Sequence, residues 1–250
     1  MNKHSKFTLV AAIATLLYAL PLIANAHYIW IERGAKTARA YYGEVAEVRE
    51  QSPGKMDDIK GLKAASAGVE LGVKRTQRYF ELNGALTSQI VAIEPSIAVK
   101  DWSASGIGIV KPMYYARHSE WPLKTAIASS KEQKLDIHPV AGSKDTFVVL
   151  FDGKPLAKNK LVIYAPNDWE QEHKTDDTGK VKVMLPWQGQ YVLEVIYKET
   201  LAGEFEGKKF DAVRHRSILT VVQPKGINPK GTGGGASGAG MMAQHTGMMN

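Results

Sequence analysis

"TFVVLFDGKPLAKNKLVIYAPNDWEQEHKTDDTGKVKVMLPWQGQYVLEVIYKE", Thr146–Glu199, is the stretch that decides the fold. Its branched and aromatic runs alternate with turn formers. Thr146–Phe151 reads as a strand and stops at Asp152-Gly153-Lys154-Pro155. Lys160–Pro166 is the next strand. Thr175–Lys180 is a tight turn in which Gly179 can supply a positive backbone angle. Val181–Pro186 and Gly189–Tyr197 complete the rhythm. Short strands recurring at about 8–12-residue spacing predict a β-sandwich. A last strand, Ala212–Pro224, closes it on this reading.

The order G-K-P-L-A, V-x-x-x-A-P, T-D-x-x-G-x-V and P-x-x-G-x-Y-x-L-E-V within this block resembles the carboxypeptidase-regulatory-like and transthyretin-like sandwich modules, which are Ig-like in architecture. That resemblance implies a fold and says almost nothing about activity.

Upstream, "HYIWIE", "ARAYYGEV", "GVELGVKR", "RYFELNG" and "SQIVAIEP" are further strand runs. "PGKMDDIKGLKAASAG", Pro53–Gly68, predicts one short helix, because Met56, Ile59, Leu62 and Ala65 fall three apart and Asp57 and Asp58 sit in its first turn. The expectation is a mainly β protein of two β-sandwich-like domains with one short helix: an N-terminal β-rich domain over 27–134, a C-terminal sandwich over 135–224, and a Gly-rich linker with a Met/His-rich tail over 225–250.

Residues 1–26 read as a cleavable signal peptide. Lys3 and Lys6 precede an apolar run, and Ala24-Asn25-Ala26 is an A-x-A cleavage triplet. The alternative is an uncleaved anchor, but a span needs about 20 clean apolar residues, and this run is shorter and ends at Pro21. The mature protein is therefore expected to be exported, not membrane-spanning, and periplasmic. The absence of cysteine removes disulfides, thiolate metal sites and cysteine nucleophiles. Loss of two lysines takes the net charge from +7 to +5, 30 basic against 25 acidic residues. The excess is scattered and forms no dense basic patch, which argues against nucleic acid. No nucleophile elbow, phosphate-binding loop, zincin motif or dinucleotide fingerprint is present. Carboxylates show no recognisable paired spacing.

Cleavage after Ala26 makes His27 the first residue and gives it a free α-amine. Amine and imidazole can chelate one ion together, and a second imidazole completes a histidine brace, whose nitrogen-rich tetragonal geometry suits Cu(II) and then Ni(II). The alternative is a histidine that merely follows the cleavage site. His215 and His118 are the candidates for the second imidazole. Strand alternation puts Val213, His215, Ser217 and Leu219 on one face and Arg214, Arg216 and Ile218 on the other. Asp211 shares the His215 face and could orient it. His118 shares a face with Tyr114 and Ala116. Either could equally be a satisfied core histidine. His138 and His173 read as solvated. In the tail, Met241, Met242, Met248 and Met249 surround His245, in a segment with no core to fill. Thioether sulfur selects Cu(I).

"HYIWIE", "AYYGEVAEVRE", "PGKMDDI", "DWSASGIGIVKPMYYARH", "LDIHPV", "FDGKPLAKNKLVIYAP" and "GEFEGKKFDAVRHRSIL" occur in the order that resembles a periplasmic family of unknown function, the nickel- or cobalt-uptake-associated periplasmic domain. The resemblance covers about residues 26–222. It implies a two-part β-rich periplasmic protein linked to transition-metal uptake or homeostasis, working beside an outer-membrane receptor or an inner-membrane permease. His27, His118 and His215 occupy its start, "ARH" and "VRHR" positions. The methionine-rich tail departs from the pattern and shifts the expected ion from nickel or cobalt toward copper. The leading expectation is thus a metal-binding protein that is not an enzyme. Two alternatives stand beside it: a copper-dependent oxidative enzyme built on a histidine brace, and a metal-free adaptor for a transporter.

Overall fold

The computed structural model describes residues 27–45, 47–124 and 133–229. Its strands are β1 Tyr28–Arg33, β2 Ala38–Glu44, β3 Val48–Arg49, β4 Lys63–Ser66, β5 Val69–Arg75, β6 Phe80–Asn83, β7 Gln89–Glu94, β8 Lys100–Trp102, β9 Gly108–Ser119, β10 Leu135–Pro139, β11 Thr146–Phe151, β12 Lys154–Pro155, β13 Lys160–Tyr164, β14 Glu170–Lys174, β15 Lys180–Lys182, β16 Gly189–Glu199, β17 Gly203–Phe205, β18 Lys208–Phe210 and β19 Ala212–Gln223. The protein is mainly β, as the alternating patterns predict. The bounds of β11, β13 and β16 follow the runs read in the Thr146–Glu199 stretch.

One large sheet runs β1-β2-β6-β5-β4-β7-β9-β19-β16-β13-β14, and a four-stranded sheet holds β10, β11, β12 and β15. The two pack as a sandwich. Phe147, Val149, Leu135 and Ile137 of the small sheet meet Leu161, Ile163, Tyr191, Leu193 and Leu219 of the large one. The opposite face of the large sheet is covered by its own far end, which curls back. Ile29, Ile31, Ala40 and Tyr42 then pack with Ile90, Tyr114 and Ala116. Tyr28, Trp30 and Tyr41 pack with Val192 and Ile218. β16 and β19 are therefore covered on both faces, and in β19 even the polar His215, Arg216, Ser217 and Thr220 are buried.

Two expectations change. β19 is the spine of the large sheet, not a closing strand: it lies between β16 and β9. Its pairing with β9 is parallel, from Ala212↔Val110 to Val221↔Ser119, so the sheet is hydrogen-bonded straight across the 134/135 boundary expected from the sequence. The helix over Pro53–Gly68 shrinks to one 3-10 turn, Lys55–Asp58. In a 3-10 turn residues three apart eclipse, so this single turn already buries both Met56 and Ile59. Beyond Gly61 the two-residue alternation of Ala64 and Ser66 takes over, and Lys63–Ser66 becomes β4.

Candidate metal centre

His27 enters the fold at the head of β1 and points with Ile29 and Ile31 into the curled end of the large sheet. It is only 6% exposed, beside the Tyr42 ring at 5.5 Å. Two carboxylates flank it. Glu50 Oε1 contacts Nε2, and Glu44 Oε1 stands 3.5 Å from Nδ1. Both come from the hairpin that joins β2 to β3. Gly43, at φ +139°, lets that hairpin close, since a Cβ there would overlap the carbonyl of Val48. The Glu50 N–H then donates to Tyr42 O at 2.8 Å, and the Val45 N–H donates to the Tyr28 hydroxyl at 3.0 Å. The 3-10 turn adds Lys55, whose Nζ lies 3.6 Å from Glu50 Oε1.

A carboxylate only accepts, so the contact with Glu50 is a hydrogen bond donated by His27 Nε2–H. Its Nδ1 faces the Glu44 carboxylate. A separation of 3.5 Å is too long for a good hydrogen bond and close to the spacing of two neighbouring ligands on one ion. Glu50 plays the part that a carboxylate plays behind a ligating histidine: it fixes tautomer and ring orientation. Neither glutamate was singled out in the sequence. The available signal was "YGEVAEVRE", where a glycine beside a short hairpin sets two glutamates at its flanks.

The other histidines do not join this cluster. His215 lies on the opposite face of the large sheet from β1. Its Nδ1 accepts from the Tyr115 hydroxyl at 2.9 Å, and its Nε2–H donates to Glu199 Oε2 at 2.9 Å. The ring stacks on Tyr115 and meets Phe151 edge-on. Both nitrogens are committed, and burial lowers its pKa. Glu199 holds the orienting position assigned to Asp211; Asp211 is exposed and its backbone N–H bonds Ile109 O. His118 sits near Arg33, at the far end of β1 from His27, a strand of six residues or roughly 20 Å. Among the described residues its Nδ1 has no hydrogen-bond partner, and burial with the Arg33 charge pushes its pKa down to about 4. His138 is buried rather than solvated, because it belongs to β10 and its Nε2 bonds Asp136 Oδ2 at 2.6 Å. His173 is half-buried on β14 and bonds Gln171 Oε1. Met241, Met242, His245, Met248 and Met249 lie outside the described residues, as does the segment 1–26.

Among the described residues no three His, Cys, Asp or Glu side chains converge on one point as a ready-made metal cage. At His27 this follows from the geometry: the two carboxylates take opposite ring nitrogens.

A family model described as "Domain of unknown function (DUF4198)" matches residues 24–199. The chain belongs to the DUF4198 family. The match takes in His27, Glu44, Glu50, Lys55 and His118, and ends before His215 and the tail. No curated protein and no solved structure matches this DUF4198 chain. No helix among its described residues is long and apolar enough to cross a membrane.

Proposed function

We propose that this DUF4198 protein is a periplasmic transition-metal-binding protein that acts in uptake, delivery or homeostasis, and that its ion sits at His27. The observation that carries the reading is the Nδ1–Glu44 spacing of 3.5 Å with Glu50 engaged on Nε2. Cleavage after Ala26 would add the α-amine of the same residue. The donors would then be amine, imidazole Nδ1 and the Glu44 carboxylate, with Glu50 as orienting acceptor. This differs from the brace read in the sequence, because a carboxylate replaces the second imidazole. A mixed nitrogen and oxygen set favours divalent ions in the order Cu(II) over Ni(II) over Co(II). It offers no soft ligand, so a Cu(I) role falls to the thioethers of the tail. The resemblance to a nickel- or cobalt-uptake family supports the cargo class, and a receptor or permease is the partner it implies.

Titration of the signal-cleaved, metal-free protein with Cu(II), Ni(II) and Co(II) tests this. The expected result is one-to-one binding with Cu(II) tightest, and a loss of about tenfold or more in Glu44→Gln. If no ion binds more tightly than about 1 mM, the reading is wrong.

A further inference from the structure

The Arg39–Tyr41 face of β2, opposite to Tyr42 and His27, carries a second feature. An open groove of about 400 Å³ is lined by Tyr41, Arg49, Gln51, Arg78 and Tyr79. No carboxylate lines it. Its walls are built rather than incidental. Trp30 and Tyr41 stack at 5.4 Å, and the Arg49 guanidinium lies over Tyr41 at 4.4 Å. Two bonds to Glu32, at 2.8 and 3.2 Å, hold that guanidinium in place. Glu32 in turn accepts from Trp30 Nε1 at 3.0 Å. Arg39 lies over Tyr79 at 4.5 Å.

Arg78 completes the rim. Its backbone is fixed by a turn: Thr76 Oγ1 accepts from the Arg78 and Tyr79 N–H groups at 3.2 and 3.1 Å, and the Ser52 N–H donates to Gln77 O at 2.8 Å. Among the described residues its guanidinium has no partner. Arg49 and Arg78 therefore line the groove with Arg39 beside it; Glu32 is already shared among Arg49, Trp30 and Gln190, and Glu81 stands opposite Arg39 across the β2–β6 pairing. The planar fork of arginine matches carboxylate and phosphate, and rings beside it favour a ligand with a body over a bare ion. The size suits a small molecule.

We infer that this groove binds a small organic oxyanion, a carboxylate or phosphate carried on an organic body, with Arg78 as the cation that takes the charge and Tyr41 and Tyr79 lining the body's side.

The test is calorimetric titration of the signal-cleaved, metal-free protein at low ionic strength with three probes: citrate, glucose 6-phosphate and inorganic phosphate. At least one organic probe should bind with a dissociation constant below about 1 mM and more tightly than inorganic phosphate. Arg78→Ala should weaken that probe about tenfold or more, and Arg78→Lys less, since lysine keeps the charge and loses the fork. Arg78 is exposed, so neither variant threatens the fold. His27→Ala should leave the affinity unchanged, which separates this site from the metal reading. Failure of both organic probes to bind, inorganic phosphate binding as tightly as they do, an Arg78→Ala affinity equal to wild type, or loss in His27→Ala would each overturn the inference.

Discussion

His27 illustrates how far a single residue can be read. Its position after the A-N-A triplet is plain in the sequence, and the cleavage and chelation proposed for it are expectations drawn from local residues alone. Its neighbours were not. Glu44 and Glu50 reach it only through strand pairing, and periodicity does not report which hairpin folds over which strand end. Glu50→Gln should lower Cu(II) affinity about tenfold without removing a ligand, because it loosens the tautomer and orientation of the ring. Equal affinity in that variant would show that Glu50 does not position His27. His118 supplies a pH prediction of a different kind. Burial, with help from Arg33, depresses its folded pKa to about 4 from 6.5. The unfolded chain therefore binds the extra proton first, and stability is complete above about pH 6.5 and falls as pH drops toward 4. The loss reaches at most about 3 kcal/mol. Urea midpoints of wild type and His118→Leu, compared at neutral pH and near pH 4.5, should show a shallower acid loss in the variant. Parallel losses would contradict the assignment.

Elements were most legible where one face is buried and the other wet. The strands of the Thr146–Glu199 stretch follow from two-residue alternation and from turns such as Asp176–Lys180, in which the Thr178 and Lys180 N–H groups both donate to Asp176 Oδ1. The helix over Pro53–Gly68 failed for a physical reason. Three-residue spacing over one turn cannot separate an α-helix from a 3-10 turn, and Gly54 and Gly61 break the pattern at either side. The same ambiguity hid β10. "LDIHP", Leu135–Pro139, has a proline and two polar residues, yet it is wholly buried, because Asp136 meets Arg117 of β9 through Nε at 2.9 Å and His138 through Nε2 at 2.6 Å. This buried network ties β10 to the large sheet. Burial raises the Asp136 carboxyl, and the bonds from His138 and Arg117 outweigh it and hold the pKa low. Asp136→Asn should therefore cost about 3–5 kcal/mol by leaving a buried arginine uncompensated. Replacing Arg117, Asp136 and His138 together by apolar residues should restore part of that loss. Thermal melts of the two variants decide it: a triple variant less stable than Asp136→Asn would contradict the account. At the β2–β3 hairpin, Gly43→Ala should both destabilise the fold and weaken Cu(II) binding, since it displaces Glu44 and Glu50 at once.

At the scale of the whole molecule, a mainly β sandwich was legible and its wiring was not. Local spacing separates 27–134 from 135–224, whereas the pairing of β9 with β19 joins residues about a hundred positions apart, and no local signal encodes that register. Because the large sheet runs through both halves, unfolding should be one cooperative transition. Far-ultraviolet dichroism and tryptophan fluorescence should trace the same urea curve, and two separated transitions would show that the halves are independent. The same topology sets His27, His118 and His215 at three separate places, so on the proposed reading His27 takes its donors from its own amine and from the hairpin beside it. The most direct measurement is therefore the Cu(II) affinity of two chains, one that begins at His27 and one with a single glycine placed before it, each determined by competition with a chelator at neutral pH. The account predicts that the added residue, which converts the amine to an amide, weakens binding by more than about tenfold. Equal affinity in the two chains would contradict it.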